Sequence, residues 1–275
     1  MPVIKVKNST EKYKKIAKYL THRNELSGRG LKDYMTKQRV DFVKKNLLNL
    51  RIKFSSFVDV GCGDGSFLEE FSFFIKKNIG ILPTDEEINA VSKILNDSKV
   101  EKKHNDESSN YSLKLMKGVS NDLPLHDKSI DLILCNGVLH SVGFSKKLVR
   151  DSIKEFQRIQ NCGSILYIGE IPEIDEMKDR SYGSSYFLYL LWILKNRGAA
   201  AAVSSFVDYL YAKFSSRVYI IQPTNMFYSS KIDFVKLLNE FDYEVIEIFD
   251  SNTNEKVNLN KKNSRRRCDY ICRKK

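Results

Sequence analysis

The sequence predicts an α/β fold: a seven-stranded, mostly parallel sheet with helices on both faces, an antiparallel last strand and a helical cap insertion after strand five. Three observations carry that prediction. Short β-rich runs alternate with segments of helical period from residue 54 to residue 170, the pattern of a parallel sheet covered on both faces. A glycine-punctuated stretch, "FVDVGCGDGSF" (57–67), falls where the first of those runs meets the first of those helices. The chain ends on two strand-like runs with no helix between them, the mark of a hairpin and hence of one antiparallel strand.

Residues 9–22 and 33–50 space their apolar side chains as helices do. Strand one is "FSSFVDV" (54–60), ended by glycine. "SFLEEFSFFIKK" (66–77) reads as a helix, and "IGILP" (79–83) as a short strand closed by Pro83. "DEEINAVSKILN" (85–96) reads as a helix whose three leading acids suit the positive end of its dipole. Residues 97–111 are polar and read as loop. "SLKLMKG" (112–118), "SIDLILC" (129–135) and "GSILYIGE" (163–170) are strands, with the helix "KKLVRDSIKEFQRI" (146–159) before the last of them. "KIDFVKLLNEF" (231–241) is a helix, followed by the strands "YEVIEIF" (243–249) and "CDYICR" (268–273). The aromatic block 171–229 interrupts this order. In an open α/β sheet, an insertion after a strand's C-terminal end lies on the ligand side, so the block reads as a substrate cap. The division expected is an N-terminal helical segment, 1–50, and one domain, 51–275, carrying the cap at about 171–229.

Composition narrows the class. The chain has 275 residues, 42% hydrophobic and 29% charged, ordinary for a soluble globular protein. Its size allows a full core without disulfide or metal. Net charge is +12, concentrated at the ends: residues 1–50 hold 13 basic against 4 acidic residues, and residues 251–275 hold 9 against 2. Such ends suit either an anionic partner or a solvated, lysine-rich surface. Five cysteines at irregular spacing offer no zinc site and fit a reducing, cytoplasmic compartment. The N-terminus lacks the apolar core of a signal peptide. "YFLYLLWIL" (186–194) is too short to span a bilayer, so no transmembrane segment is expected, while contact with a membrane surface stays open.

A strand, then glycines, then a helix is a device for holding a nucleotide-like ligand. Glycine permits the tight turn and the close approach of ligand to backbone, and the helix start offers free N–H groups. The spacing is G-x-G-x-G behind Asp59, not the G-x-G-x-x-G of dinucleotide sites. This stretch, "VDVGCGDGSF", resembles the first motif of class I S-adenosylmethionine-dependent methyltransferases. Downstream, "GVSNDLPLHDKSIDLILCNGVLH" (118–140) is similar to the second conserved stretch of the small-molecule members, with Leu123, Pro124, Ser129, Asp131 and His140 in step.

The resemblance implies a Rossmann-like sheet and S-adenosylmethionine as cofactor; no Cys/His cluster supports a metal. It implies that Asp59 orients the loop and helps hold the methionine part. Gly61, Cys62, Gly63 and Gly65 would pass close to the cofactor, and Asn136 would line the methionine side. The family's ribose-binding acid falls at Leu82, which accepts no hydrogen bond through its side chain. Asp85 and Glu86 are the substitutes in reach, or else plain first-turn acids. The family's adenine-side residues fall at Val119, Ser120 and Asn121.

For chemistry, Glu170 at the end of strand five is the first candidate for base or substrate anchor. His140, after strand four, is a base or a packed loop residue. Glu173, Asp175 and Glu176 read as solvent-exposed, with a polar substrate or a metal as the alternative role. Tyr182, Ser184, Asn225 and Tyr228 are polar candidates for the acceptor pocket. The expected activity is methyl transfer to a small-molecule or glycan-like acceptor at oxygen. Two alternatives stand beside it: an RNA methyltransferase, suggested by the basic ends, and a non-catalytic cofactor-binding subunit, suggested by Leu82 and Val119.

Overall fold

The structure is a computed structural model and describes residues 33–97, 112–140, 145–174, 186–214, 227–259 and 267–275. Its elements in chain order are α1 (Asp33–Asn49), β1 (Ser56–Val60), α2 (Ser66–Phe71), β2 (Lys77–Leu82), α3 (Asp85–Asp97), β3 (Ser112–Lys117) and β4 (Ile130–Asn136). Then follow α4 (Lys146–Ile159), β5 (Gln160–Pro172), α5 (Tyr186–Arg197), α6 (Ala199–Phe214), α7 (Lys231–Asn239), β6 (Tyr243–Asp250) and β7 (Arg267–Lys274).

The seven strands form one sheet in the order β3-β2-β1-β4-β5-β7-β6. All neighbours are parallel except β7, which runs antiparallel to both β5 and β6. The order reverses between β1 and β4, which pair directly. That reversal opens a crevice at the C-terminal ends of those two strands, the place where open α/β sheets take ligands.

Alternation within the strands builds two cores. Val58, Ile133, Leu166 and Tyr270 face α4 and α7, which bring Ile153, Phe156 and Phe234. Phe57, Leu132, Tyr167 and Ile271 face α1, α2 and α3, which bring Val43, Leu68 and Val91. The helix expected over 66–77 is shorter than its apolar spacing suggests, ending at Phe71. Lys77 already pairs with Ser56 in the sheet, so the chain must leave the helix early. Ile75 folds back into the core, and the Asn78 amide donates to its carbonyl at 2.6 Å.

β5 carries a bulge between Ile168 and Ile171. Glu170 sits there with φ of 64°, a left-handed backbone that non-glycine residues seldom adopt. Beyond it the chain departs through Glu173, which pairs with the returning Ser229. In between, α5 and α6 pack on each other, with Tyr186 stacked on Tyr209 at 3.9 Å. Their outer faces expose Phe187, Leu191, Leu194, Val203, Phe206 and Val207. Among the described residues no helix is long and apolar enough to cross a membrane.

Candidate active site

The loop after β1 is shaped by three glycines with positive φ: Gly61 (74°), Gly63 (56°) and Gly65 (85°). The Gly61 N–H donates to the Ile81 carbonyl at 2.9 Å, and the Gly65 N–H to the Cys62 carbonyl at 2.9 Å. Asp64 accepts from the N–H and hydroxyl of Ser66, which steadies the start of α2. Asp59 is buried beneath the loop. Burial, and after it the Asp59 charge, push the Cys62 thiol well up, so Cys62 is a neutral wall and not a nucleophile.

On the β2 side, Leu82 is buried in the core shared with α1, α2 and α3, and its carbonyl accepts from the Gly118 N–H at 2.9 Å. Asp85 and Glu86 are exposed, and Asp85 pairs with Lys117. The acid that turns inward is Glu87, which sequence reasoning missed. Thr84 and Glu87 form a capping box: the Thr84 hydroxyl donates to Glu87 Oε2 at 3.0 Å, and the Glu87 N–H donates to Thr84 Oγ1 at 3.2 Å. The T-x-x-E spacing was the available signal. Burial raises the Glu87 pKa to about 7, against partial relief from Thr84. The folded state thus holds this proton more tightly than the unfolded chain. Its contribution to stability is greatest at low pH and falls as pH rises from 4.5 to about 7. Glu87→Gln is expected to remove that fall, a difference of about 1–3 kcal/mol between pH 5 and pH 7 in urea unfolding of the two proteins.

After β3, Val119 and Asp122 close a tight turn through their backbones, at 3.2 and 2.9 Å, with Ser120 and Asn121 at its tip. Ser152 spends its proton on the Leu148 carbonyl, so the buried Ser120 hydroxyl donates to Ser152 at 2.8 Å and ties the turn to α4.

The ends of β4, β5 and β7 converge on a charged cluster. Asp269, the third residue of β7, is fully buried and accepts from Arg39 Nη1 (2.5 Å) and Nη2 (2.7 Å), the Tyr167 hydroxyl (2.7 Å), the Ser251 hydroxyl (2.6 Å) and the Glu170 N–H (2.9 Å). Burial opposes the Arg39 charge, but Asp269 outweighs it and holds the guanidinium protonated more firmly than usual. Arg39 also donates to Asn136 Oδ1 and lies 3.6 Å from the Glu170 carboxylate. On the other side of Glu170 stands Arg267, at 3.3 Å from its carboxylate and 3.3 Å from His140 Nε2. Glu170, His140 and Asn136 are thus brought together by two arginines that the sequence did not point to. Arg39 shares a helix face with Val43 and Leu47, and Asp269 interrupts an apolar strand. A charge on a buried face must be paired, and that was the available signal.

Glu173 corrects the expectation of solvent exposure. It is buried, with Lys231 at 3.3 Å, and burial raises its pKa while Lys231 offsets part of the rise. Its pairing with Ser229 places the half-buried Tyr228 at the same edge. Asp175, Glu176, Tyr182, Ser184 and Asn225 lie outside the described residues, as does the helix expected over 9–22. Among the described residues no group of His, Cys, Asp and Glu is arranged to hold a metal ion.

Residues 58–168 match the family model described as a methyltransferase domain. No curated protein sequence matches the chain. Among solved structures, a methyltransferase from Clostridium acetobutylicum superposes with a TM-score of 0.57, at 12% identity over 97% of this chain and 99% of that one. A methyltransferase from Thermotoga maritima, described as a possible histamine N-methyltransferase, gives 0.51 at 17% identity over 97% and 98%. The small RNA methyltransferase HEN1 gives 0.55 at 15% identity, over 87% of this chain and 25% of that one. At these identities the likeness is one of fold. The matched methyltransferase domain spans the glycine loop, β4 and most of β5, and the solved structures share the fold that carries it.

Proposed function

We propose that the methyl acceptor is a small-molecule or glycan-like hydroxyl and that the product is methylated at oxygen. The observation that carries this reading is the His140–Arg267–Glu170 cluster at the ligand ends of β4, β5 and β7. A carboxylate, a guanidinium and an imidazole side by side suit a ligand rich in hydroxyls. An arginine donates only, so the His140 Nε2 facing it accepts. Glu170, held between two arginines, suits an anchor for acceptor hydroxyls better than a free base. With its Nε2 lone pair engaged by Arg267, His140 is a positioning residue of the cluster, and the hydroxyl proton leaves to water.

The cofactor fits the chain's own geometry. A Cβ on Gly61 would stand 2.5 Å from Val138 Cγ2, so the loop keeps its floor open only with glycine there. Asp59, Gly61, Cys62, Gly63 and Gly65 would hold the methionine side. The end of β2 at Leu82 and the turn at Ser120 and Asn121, with Asp85 at the rim, would flank the adenosine side. When bound, S-adenosylmethionine supplies a methyl group already activated by a sulfonium, so the protein's work is chiefly orientation. The exposed apolar faces of α5 and α6 support an acceptor with an apolar part or a membrane-surface contact.

The second reading is an RNA acceptor, favoured by the basic ends and by the fold shared with a small RNA methyltransferase. "CNGVLH" (135–140), at the end of β4, offers no base-stacking aromatic beside its asparagine, which favours the first reading. Methyl-labelled S-adenosylmethionine, incubated with the protein and cell-extract fractions, tests both. Label is expected in the small-molecule or glycan fraction. Label in RNA, with binding that weakens steeply as salt rises, would replace the first reading by the second.

A further inference from the structure

Asn136 ends β4 on the face where Asp59 lies, two residues past the partner of Asp59 and so level with Gly61. Its Oδ1 accepts from Arg39 Nε at 3.2 Å and Nη2 at 2.6 Å. A guanidinium offers only donors, so this contact fixes which end of the amide faces it. Arg39 is itself clamped by Asp269. Gly169 leaves the room, since a Cβ there would stand 2.1 Å from Asn136 Oδ1 and 2.6 Å from Arg39 Nη2. The amide cannot turn over without losing both bonds. Its other end, Nδ2, is buried and has no hydrogen-bond partner among the described residues. Such a group costs about 1–3 kcal/mol and leaves a donor for a water or a ligand atom with a lone pair.

We propose that Asn136 Nδ2 donates to the methyl-accepting oxygen and so selects oxygen over amine nucleophiles. This rests on the hydroxyl-acceptor reading and adds its specificity device. An oxygen has two lone pairs. One accepts from Asn136 while the other forms the O–C bond, the S–C bond breaks with its electron pair left on sulfur, and the hydroxyl proton leaves to water. A neutral amine has a single lone pair, and an N–H aimed at it occupies the pair that must attack. An Asn136 carbonyl turned to the ligand would instead welcome an amine N–H. Arg39 removes that option, which makes it a positioning residue acting through the amide.

Asn136→Asp in the full chain tests this. Aspartate still accepts from Arg39, but it presents a lone pair where the amide presented an N–H. Calorimetric titration of S-adenosylmethionine is expected to give affinity within about threefold of the parent, while label transfer to the oxygen acceptor falls about 100-fold or more. Asn136→Ser is read the same way should the aspartate variant not fold. Arg39→Lys, which cannot hold Oδ1 through two donors, is expected to raise the ratio of nitrogen to oxygen product, a change that a purely structural role would not cause. A tenfold or greater loss of cofactor affinity in Asn136→Asp assigns the donor to the cofactor's carboxylate and overturns the proposal. Undiminished transfer with an oxygen-methylated product overturns it while leaving the hydroxyl reading standing. A nitrogen-methylated product from the parent protein overturns both.

Discussion

Replacing Arg39 by methionine is expected to destabilise the protein by about 3–5 kcal/mol, because it strands a buried carboxylate. Asp269 is fully buried and accepts from five donors, of which only Arg39 carries charge. The hydroxyls of Tyr167 and Ser251 and the Glu170 N–H would remain, but neutral donors do not replace a counter-charge in a low dielectric. The damage would reach the site, since the same guanidinium anchors Asn136 and faces Glu170. Removing both charges together, as Arg39→Met with Asp269→Leu, is expected to cost less than removing Arg39 alone, because no charge is then left unpaired. Urea unfolding of the three proteins reads the difference. A single variant within 1 kcal/mol of the parent would show that the pair is not what ties α1 to β7.

That pair also marks the limit of what the sequence discloses. Period and punctuation report local structure. Strands and helices were legible wherever apolar spacing and turn residues agreed, and the antiparallel last strand followed from two runs lacking a helix between them. The glycine loop was legible because a left-handed turn leaves few residues besides glycine to choose from. Arg39 and Asp269 stand 230 positions apart, and no local pattern joins them. Glu170 was legible as a strand end. Its bulge, which turns the N–H toward Asp269, depends on the neighbouring strand and not on its own segment. At β2, Asp85 and Glu86 stand nearest Leu82 in sequence, whereas helix geometry turns the residue after them inward. Val119 and Leu82, read as departures from a pattern, are in the fold a turn residue and a core residue.

Gly61→Ala is expected to weaken S-adenosylmethionine binding roughly 30-fold or more. A non-glycine residue at φ of 74° carries about 1–2 kcal/mol of backbone strain. Its Cβ would fall 2.5 Å from Val138 Cγ2, and forcing a methyl into packed surroundings adds about 1–3 kcal/mol. Without cofactor the loop relieves this by shifting away from the Ile81 carbonyl that its N–H now binds. Binding requires the unshifted loop, so the strain returns as lost affinity, at about 1.4 kcal/mol per factor of ten. Val138→Ala in the same chain removes the methyl clash but not the left-handed strain, so affinity should recover in part. Gly163→Ala is the control: its φ is 81°, a Cβ there meets nothing within 4 Å, and it lies near the opposite end of β5. That variant should lose about 1 kcal/mol of stability and no cofactor affinity. If Gly61→Ala and Gly163→Ala bound the cofactor equally well, the loop after β1 would not be its cradle.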